Sequence, residues 1–318
     1  MRIATLQHRR ESRSCLAFGR PDGAFIAVPD ALAAVSGGQQ AVPMGRLMFP
    51  EANDWLQPGG LDMLATLRAA ALDQGVAPVD MSDWRLAPPV TSPGKIIAVG
   101  RNYMDHVREG QALWAKRGKV VTIPQFPSAF AKFRTSLCAP DSPILVPDGV
   151  DDVDYEIELA VVIGTRALDV GEADALSHVA GYTICNDVGA RGIQRKEMEA
   201  QIGITLAKNF PNFAPMGPWL VTADEIPDPQ VLDIGLEVDG EPRQRANTAD
   251  MIFSVAYLVA YWSRVGLEPG DIIITGTPSG VALAREEPEK FYLRAGQTVT
   301  AWIQGIGELR NGVTATKA

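Results

Sequence analysis

The stretch Glu156-Ile157-Glu158-Leu159-Ala160-Val161-Val162-Ile163-Gly164 constrains this chain more than any other. Branched aliphatic residues dominate it, so it reads as a β-strand with side chains alternating at period two. One face carries Ile157, Leu159, Val161 and Ile163; the other carries Glu156, Glu158, Ala160 and Val162. A strand this apolar is expected to be buried on both faces, which leaves two carboxylates side by side in the interior. Like charges so close repel, and at least one is protonated unless a cation stands between them. Hard divalent cations such as Mg²⁺ or Mn²⁺ take oxygen ligands of this kind. The alternative is an edge strand whose two glutamates face water.

Around this strand the chain divides in two. Residues 2–7, 15–19 and 24–29 read as short strands, with Pro21-Asp22-Gly23 turning between the last two, and a helical pattern covers 61–73. Prolines 88, 89 and 93 with Gly94 can continue neither a helix nor a central strand. The expected division is therefore a small α+β domain over 1–90 and a larger domain over 91–318. The second part is strand-rich, with candidates at 95–100, 181–185, 232–238, 271–275 and 298–303. Met251, Val255, Leu258, Val259 and Trp262 mark one helical stripe, read as core packing. Residues 267–273 and 293–299 echo each other as turn-then-strand units.

Three further constellations can carry chemistry. Asp187 ends the strand at 181–185 and precedes a helical turn, where it can serve as a ligand or as an N-cap. Arg191 and Gln194 stand i, i+3 beyond it and share a face that suits a carboxylate-bearing substrate, or simply water. His106 and Glu109 are also i, i+3, and a carboxylate beside His raises its basicity and fixes its tautomer, as a general base requires; a surface pair would have the same spacing. The segment Thr275-Gly276-Thr277-Pro278-Ser279-Gly280 is glycine-rich but lacks the spacing and lysine of a phosphate loop.

Bulk properties exclude several functions. A net charge of -9 with no long basic run is wrong for nucleic acid. The most apolar stretch, 251–262, is too short to span a bilayer. The charged start, Met1 to Glu11, is not a signal peptide. Three widely spaced cysteines, Cys15, Cys138 and Cys185, imply free thiols in a reducing cytoplasm.

In order and spacing these segments resemble the fumarylacetoacetate hydrolase family, over roughly residues 95–313. The markers are Gly100-Arg101-Asn102-Tyr103 with His106 and Glu109, Glu156-x-Glu158, Asp187 with Arg191 and Gln194, Leu206-Ala207-Lys208, Met251-Ile252-Phe253-Ser254, and Gly270-Asp271-Ile272-Ile273-Ile274-Thr275-Gly276-Thr277-Pro278. The resemblance implies an α+β, mainly β, mixed fold and a homodimer, and makes the larger domain, 91–318, the metal-dependent catalytic one. It implies metal ligation by Glu156, Glu158 and Asp187, with Mg²⁺ the expected ion and Mn²⁺ or Ca²⁺ alternatives. It also implies a lid bearing His106 and Glu109, an electrostatic group in Lys208, and substrate contacts from Tyr103, Arg191, Gln194, Thr277 and Lys132. Two departures stand out: Phe133 follows Lys132 where the family usually has proline, and residues 111–128 are long for a compact member.

The implied reaction is hydrolysis of the C3–C4 bond of a small 2,4-dioxo acid, such as acetylpyruvate or fumarylpyruvate. His106 with Glu109 would activate the water. Decarboxylation, or isomerisation or hydration, of a related acid such as oxaloacetate is the second reading. A non-catalytic metabolite-binding protein is the third. Residues 111–128 read as a loop, and its Lys116, Arg117 and Lys119, near Trp114 and Phe126, either attract a second substrate carboxylate or face solvent.

Overall fold

The computed structural model describes residues 1–36, 53–57, 59–115 and 122–316. In chain order, β1 (Arg2–His8), β2 (Ser14–Gly19) and β3 (Phe25–Ala27) form a meander; α1 (Val28–Val35) and α2 (Gly60–Asp73) follow, and β4 (Trp84–Ala87) returns against β1. Then come β5 (Ile96–Gly100), α3 (Met104–Ala115), β6 (Ser128–Ala131), β7 (Leu137–Cys138), β8 (Ile144–Val146), β9 (Val153–Asp154) and β10 (Ile157–Ile163). The chain continues through α4 (Glu172–Ala175), β11 (Val179–Asn186), β12 (Gly189–Ala190), α5 (Arg191–Glu199), β13 (Ala214–Thr222), β14 (Asp233–Val238) and β15 (Glu241–Asn247). It ends with α6 (Val255–Ser263), β16 (Ile272–Ile274), β17 (Thr298–Ile303) and β18 (Gly307–Ala315).

The larger sheet has the order β3-β2-β1-β13-β11-β10-β16-β5-β6, with β4 beside β1 and β7 beside β13. A second sheet runs β15-β14-β17-β18-β8, and β9 pairs with β12 alone. The fold is the expected α+β, mainly β, type. β10 lies between β11 and β16, so it is a central strand, and the edge-strand alternative for its glutamates falls away.

The two faces of β10 look into two cores. Ile157, Leu159, Val161 and Ile163 pack with Ile234, Leu236, Val299 and Leu309 of the second sheet and with Leu258 of α6. Ala160 and Val162 pack with Phe18, Trp55, Leu64 and Leu67, under α1 and α2. Burying a side chain of this size is worth roughly 1.5–3 kcal/mol, so covering both faces of one strand anchors three layers together. Residues 1–90 therefore share the second core with β5, β10 and β16. β1 also pairs directly with β13, Ile3 opposite Leu220.

Several elements depart from the sequence expectation. Residues 28 and 29 begin α1 instead of ending a strand, because Pro29 fits the first turn of a helix, where no N–H bond is lost. The helix expected from Met251 starts at Val255, capped by the Ser254 hydroxyl, while Met251 bridges to Tyr103. Glu156 stands just before β10 instead of within it. Residues 111–115 continue α3, so the first part of the expected loop is helical; Lys116, Arg117 and Lys119 lie outside the described residues. The two echoing units share a left-handed glycine, Gly270 and Gly296, but feed different sheets. All three cysteines are free and buried. Among the described residues, no helix is long and apolar enough to cross a membrane.

Candidate active site

The antiparallel register of β10 and β11 builds the centre. Ile157 faces Asn186, so Asp187, one residue past β11, arrives beside Glu156. The Asp187 N–H donates to the Glu156 carbonyl at 2.8 Å, and the Glu156 N–H donates to Asn186 Oδ1 at 2.9 Å. One carboxylate oxygen from each of Glu156, Glu158 and Asp187 lies within 4.8 Å of the others, and all three residues are buried. Asp187 is not an N-cap: α5 starts at Arg191, and its N-cap position is Ala190.

Buried cations surround this triad. Lys208 Nζ lies 2.5 Å from Glu156 Oε2 and 3.0 Å from Asp187 Oδ2, and donates to the Asp187 carbonyl at 2.8 Å. Lys132 Nζ stands behind Asp187, 2.7 Å from Oδ1. Arg191 reaches Glu156 Oε1 at 2.6 Å, Asp154 Oδ2 at 2.8 Å and Gln194 Oε1 at 2.9 Å. Against the pull of burial, Arg191 and Lys208 hold Glu156 below the usual carboxylate range. Glu158 has no ion pair among the described residues and accepts only the Gly276 N–H, at 2.6 Å. Burial, with Asp187 and Glu156 alongside, pushes its carboxyl well above the usual range. That uncompensated carboxylate is what a divalent cation would relieve. Three convergent hard oxygens fit such an ion, with room for water or substrate oxygens to complete its shell.

Two glycines make the geometry possible. Gly276, at φ +95°, donates to Glu158, and a Cβ there would lie 2.8 Å from Asn102 Cβ. A Cβ on Gly189 would lie 3.0 Å from Lys208 Cε, so a side chain there would crowd the lysine stem.

The triad opens into a cavity of about 570 Å³, lined also by His106, Arg191, Gln194, Lys208 and Thr277. α3 borders it. His106 Nδ1 makes a loose 3.4 Å contact with Glu109 Oε2, while Glu109 Oε1 accepts the Gly280 N–H at 2.9 Å, tying the helix to the opposite wall. The Thr277 hydroxyl donates to the Ile157 carbonyl and accepts from Gln244. Two expected substrate contacts are placed elsewhere. Tyr103 is buried in the core with its hydroxyl unpartnered among the described residues, and Lys132 is ion-paired behind Asp187; neither is among the residues that line this cavity.

Sequence reasoning missed Asp154 and Glu197. Asp154 is fully buried and accepts from Arg191 and from the Ala282 and Leu283 N–H groups. Its period-two relation to Glu156 and Glu158 was a usable signal. Glu197 accepts the N–H groups of Thr205, Leu206 and Ala207, immediately before Lys208. No local pattern marks it.

The model for the fumarylacetoacetate hydrolase C-terminal domain matches residues 95–314. The chain belongs to this family. A Burkholderia cenocepacia (strain HI2424) relative, whose name proposes a hydrolase and no substrate, is 43% identical over 258 residues, 81% of this chain and 85% of that one. Maleylpyruvate hydrolase from Sphingobium sp. SYK-6, solved with manganese(II) and pyruvate, is 28% identical with a TM-score of 0.75, covering both chains fully. A Mycobacterium smegmatis 5-carboxymethyl-2-hydroxymuconate delta-isomerase is 29% identical, TM-score 0.71, again over both whole chains. The solved structures this chain resembles thus include a hydrolase and an isomerase, and the buried acidic triad together with the manganese-bound relative supports a divalent metal.

Proposed function

We propose that this enzyme hydrolyses the C3–C4 bond of a small 2,4-dioxo acid, giving pyruvate and a carboxylic acid. One observation carries the reading: a buried oxygen triad and a carboxylate-backed histidine face the same cavity. Glu156, Glu158 and Asp187 would hold the metal, with Mg²⁺ our choice. When bound there, a divalent cation supplies Lewis-acid stabilisation of negative charge on the oxygens of a 2-oxo acid.

The protein's own groups do the rest. With Nδ1 donating to Glu109, the other ring nitrogen of His106 is the base and takes a proton from water as it attacks the C4 carbonyl. The C3–C4 bond then breaks, its electron pair passes to C3, and the proton taken by His106 is delivered to C3, completing pyruvate and restoring the base. Lys208 is better suited to fixing charge than to donating, since its ammonium already donates to Glu156 and to the Asp187 carbonyl and is ion-paired with the Asp187 carboxylate. Arg191, held by Asp154, keeps further N–H groups for a substrate carboxylate, and Gln194 orients it. Isomerisation of a related oxo acid is the second reading, favoured by the isomerase likeness. We also propose a homodimer and a cytoplasmic location.

The test is release of pyruvate from acetylpyruvate and fumarylpyruvate with Mg²⁺ or Mn²⁺, and after chelation. Metal-dependent release is expected. Isomerised or decarboxylated product without cleavage would replace hydrolysis by the second reading.

A further inference from the structure

Outside the acidic cavity, two guanidiniums meet on one aromatic ring. Arg243 of β15 places its Cζ 4.8 Å from the centre of the Phe291 ring, and Arg285 places its own 5.4 Å from the same centre. Arg285 Nη2 donates to the Arg243 carbonyl at 2.8 Å, so the two residues are direct neighbours. None of Arg243, Arg285 and Phe291 is among the residues that line the active-site cavity. Like charges brought together normally recruit a carboxylate. The acids nearby are committed elsewhere: Glu237 pairs with Arg245, Glu287 with Lys290 and Asp154 with Arg191, and among the described residues neither Arg243 nor Arg285 has an ion pair. The Nε atoms of both are buried and have no hydrogen-bond partner among the described residues. The ring does not meet that need, because it contacts the face of a guanidinium and the N–H groups lie at its edge. Both side chains are partly buried, so a small ion can still reach them from solvent.

We propose that Arg243 and Arg285 form an oxyanion site distinct from the acidic cavity. The edge of a guanidinium that carries Nε and one Nη presents two parallel N–H groups, which match two adjacent oxygens of a carboxylate or a phosphate. Two such edges with orphaned Nε–H groups take one small anion between them. The site also bears on helix α3. The Gly280 carbonyl accepts Arg285 Nη2 at 3.4 Å and the Tyr155 hydroxyl at 3.3 Å, while the Gly280 N–H donates to Glu109 of α3 at 2.9 Å. A Cβ on Gly280 would meet the Arg243 carbonyl at 2.1 Å, so this peptide lies directly against the strand that carries Arg243. An anion that immobilises Arg285 steadies the same peptide, and with it the anchor of α3.

The first test needs no variant. Crystals of the wild-type enzyme soaked in selenate should show an anomalous peak at the edges of the two guanidiniums; a peak in the acidic cavity alone, or none, overturns the site. In solution, calorimetry with Mg²⁺ present and ionic strength held constant should find one saturable sulfate per chain. Arg243→Gln and Arg285→Gln should each weaken it by about tenfold or more, as loss of a charge-assisted hydrogen bond does. Acetate titrated in parallel distinguishes the sources: tighter sulfate assigns a phosphate-type ion, tighter acetate a carboxylate. No saturable binding, or equal binding in wild type and both variants, overturns the proposal. Amide exchange across residues 104–109 reads the link to α3. Sulfate should slow it in wild type and not in Arg285→Gln; unchanged exchange with sulfate bound overturns that link.

Discussion

Glu109 splits its two oxygens between His106 and the backbone of Gly280, and this ties a side chain to a reaction type. A carboxylate that only pinned α3 would need no histidine, and a histidine that only bound substrate would need no carboxylate behind it. Water activation uses both. His106→Ala should therefore lower acylpyruvate hydrolysis by about 10²–10⁴-fold while leaving oxaloacetate decarboxylation within a few-fold, because only hydrolysis consumes a deprotonated water. Steady-state rates on the two substrates decide it; parallel losses would reassign His106 to binding or lid closure. At this scale the sequence was most legible where chemistry conflicted with burial: two glutamates on an apolar strand left either a cation or an edge strand facing water, and the central position of β10 removed the second. Tyr103 and Lys132 were less legible. Their neighbours in sequence line the site, but hydroxyl and ammonium are aimed by tertiary packing that spacing does not encode.

Glu197 shows how an element, α5, sets a residue outside it. Its carboxylate accepts three successive N–H groups at 205–207, which caps the short turn Leu206–Lys208 and fixes where the Lys208 stem begins. Glu197→Ala leaves those donors buried or poorly met, at a cost of about 1–3 kcal/mol. It should lower kcat with little change in KM, and weaken Mn²⁺ binding read by electron paramagnetic resonance, because Lys208 spans Glu156 and Asp187. A loss of thermal stability with unchanged metal affinity would make Glu197 structural only. The helix itself was foreseen from Arg191 and Gln194, but not this contact, whose partners are backbone groups without a sequence signature. Element boundaries slipped for similar reasons. Ser254 caps α6 and starts it after Met251, and Pro29 opens a helix where a strand pattern was fading.

On the scale of the molecule, the proline- and glycine-rich crossing at 88–94 separates two parts of the sequence but not two cores. The family match begins just after it, at residue 95, and every residue of the proposed site lies beyond it. Yet Ala160, Val162, Met216 and Leu220 of the catalytic part are covered by Ile3, Phe18, Trp55, Leu64 and Leu67 of the first. Period-two patterning showed that β10 is covered on both sides; it did not show that the cover on one side comes from the chain's beginning, because contacts of such long sequence separation leave no local trace. We propose that residues 1–90 are a domain in sequence and a structural layer in folding. A fragment of residues 91–318 would retain every proposed ligand and the His106–Glu109 pair, but would expose that apolar face and leave β13 without its β1 neighbour. An uncovered sheet face of this kind is an aggregation hazard. The fragment should bind a hydrophobic dye, unfold without a cooperative transition and release no pyruvate, and co-expression with residues 1–90 as a second chain should reverse all three. A soluble fragment that unfolds cooperatively and retains activity would show instead that the first ninety residues are dispensable to the catalytic fold, and that the shared core contributes little to its stability.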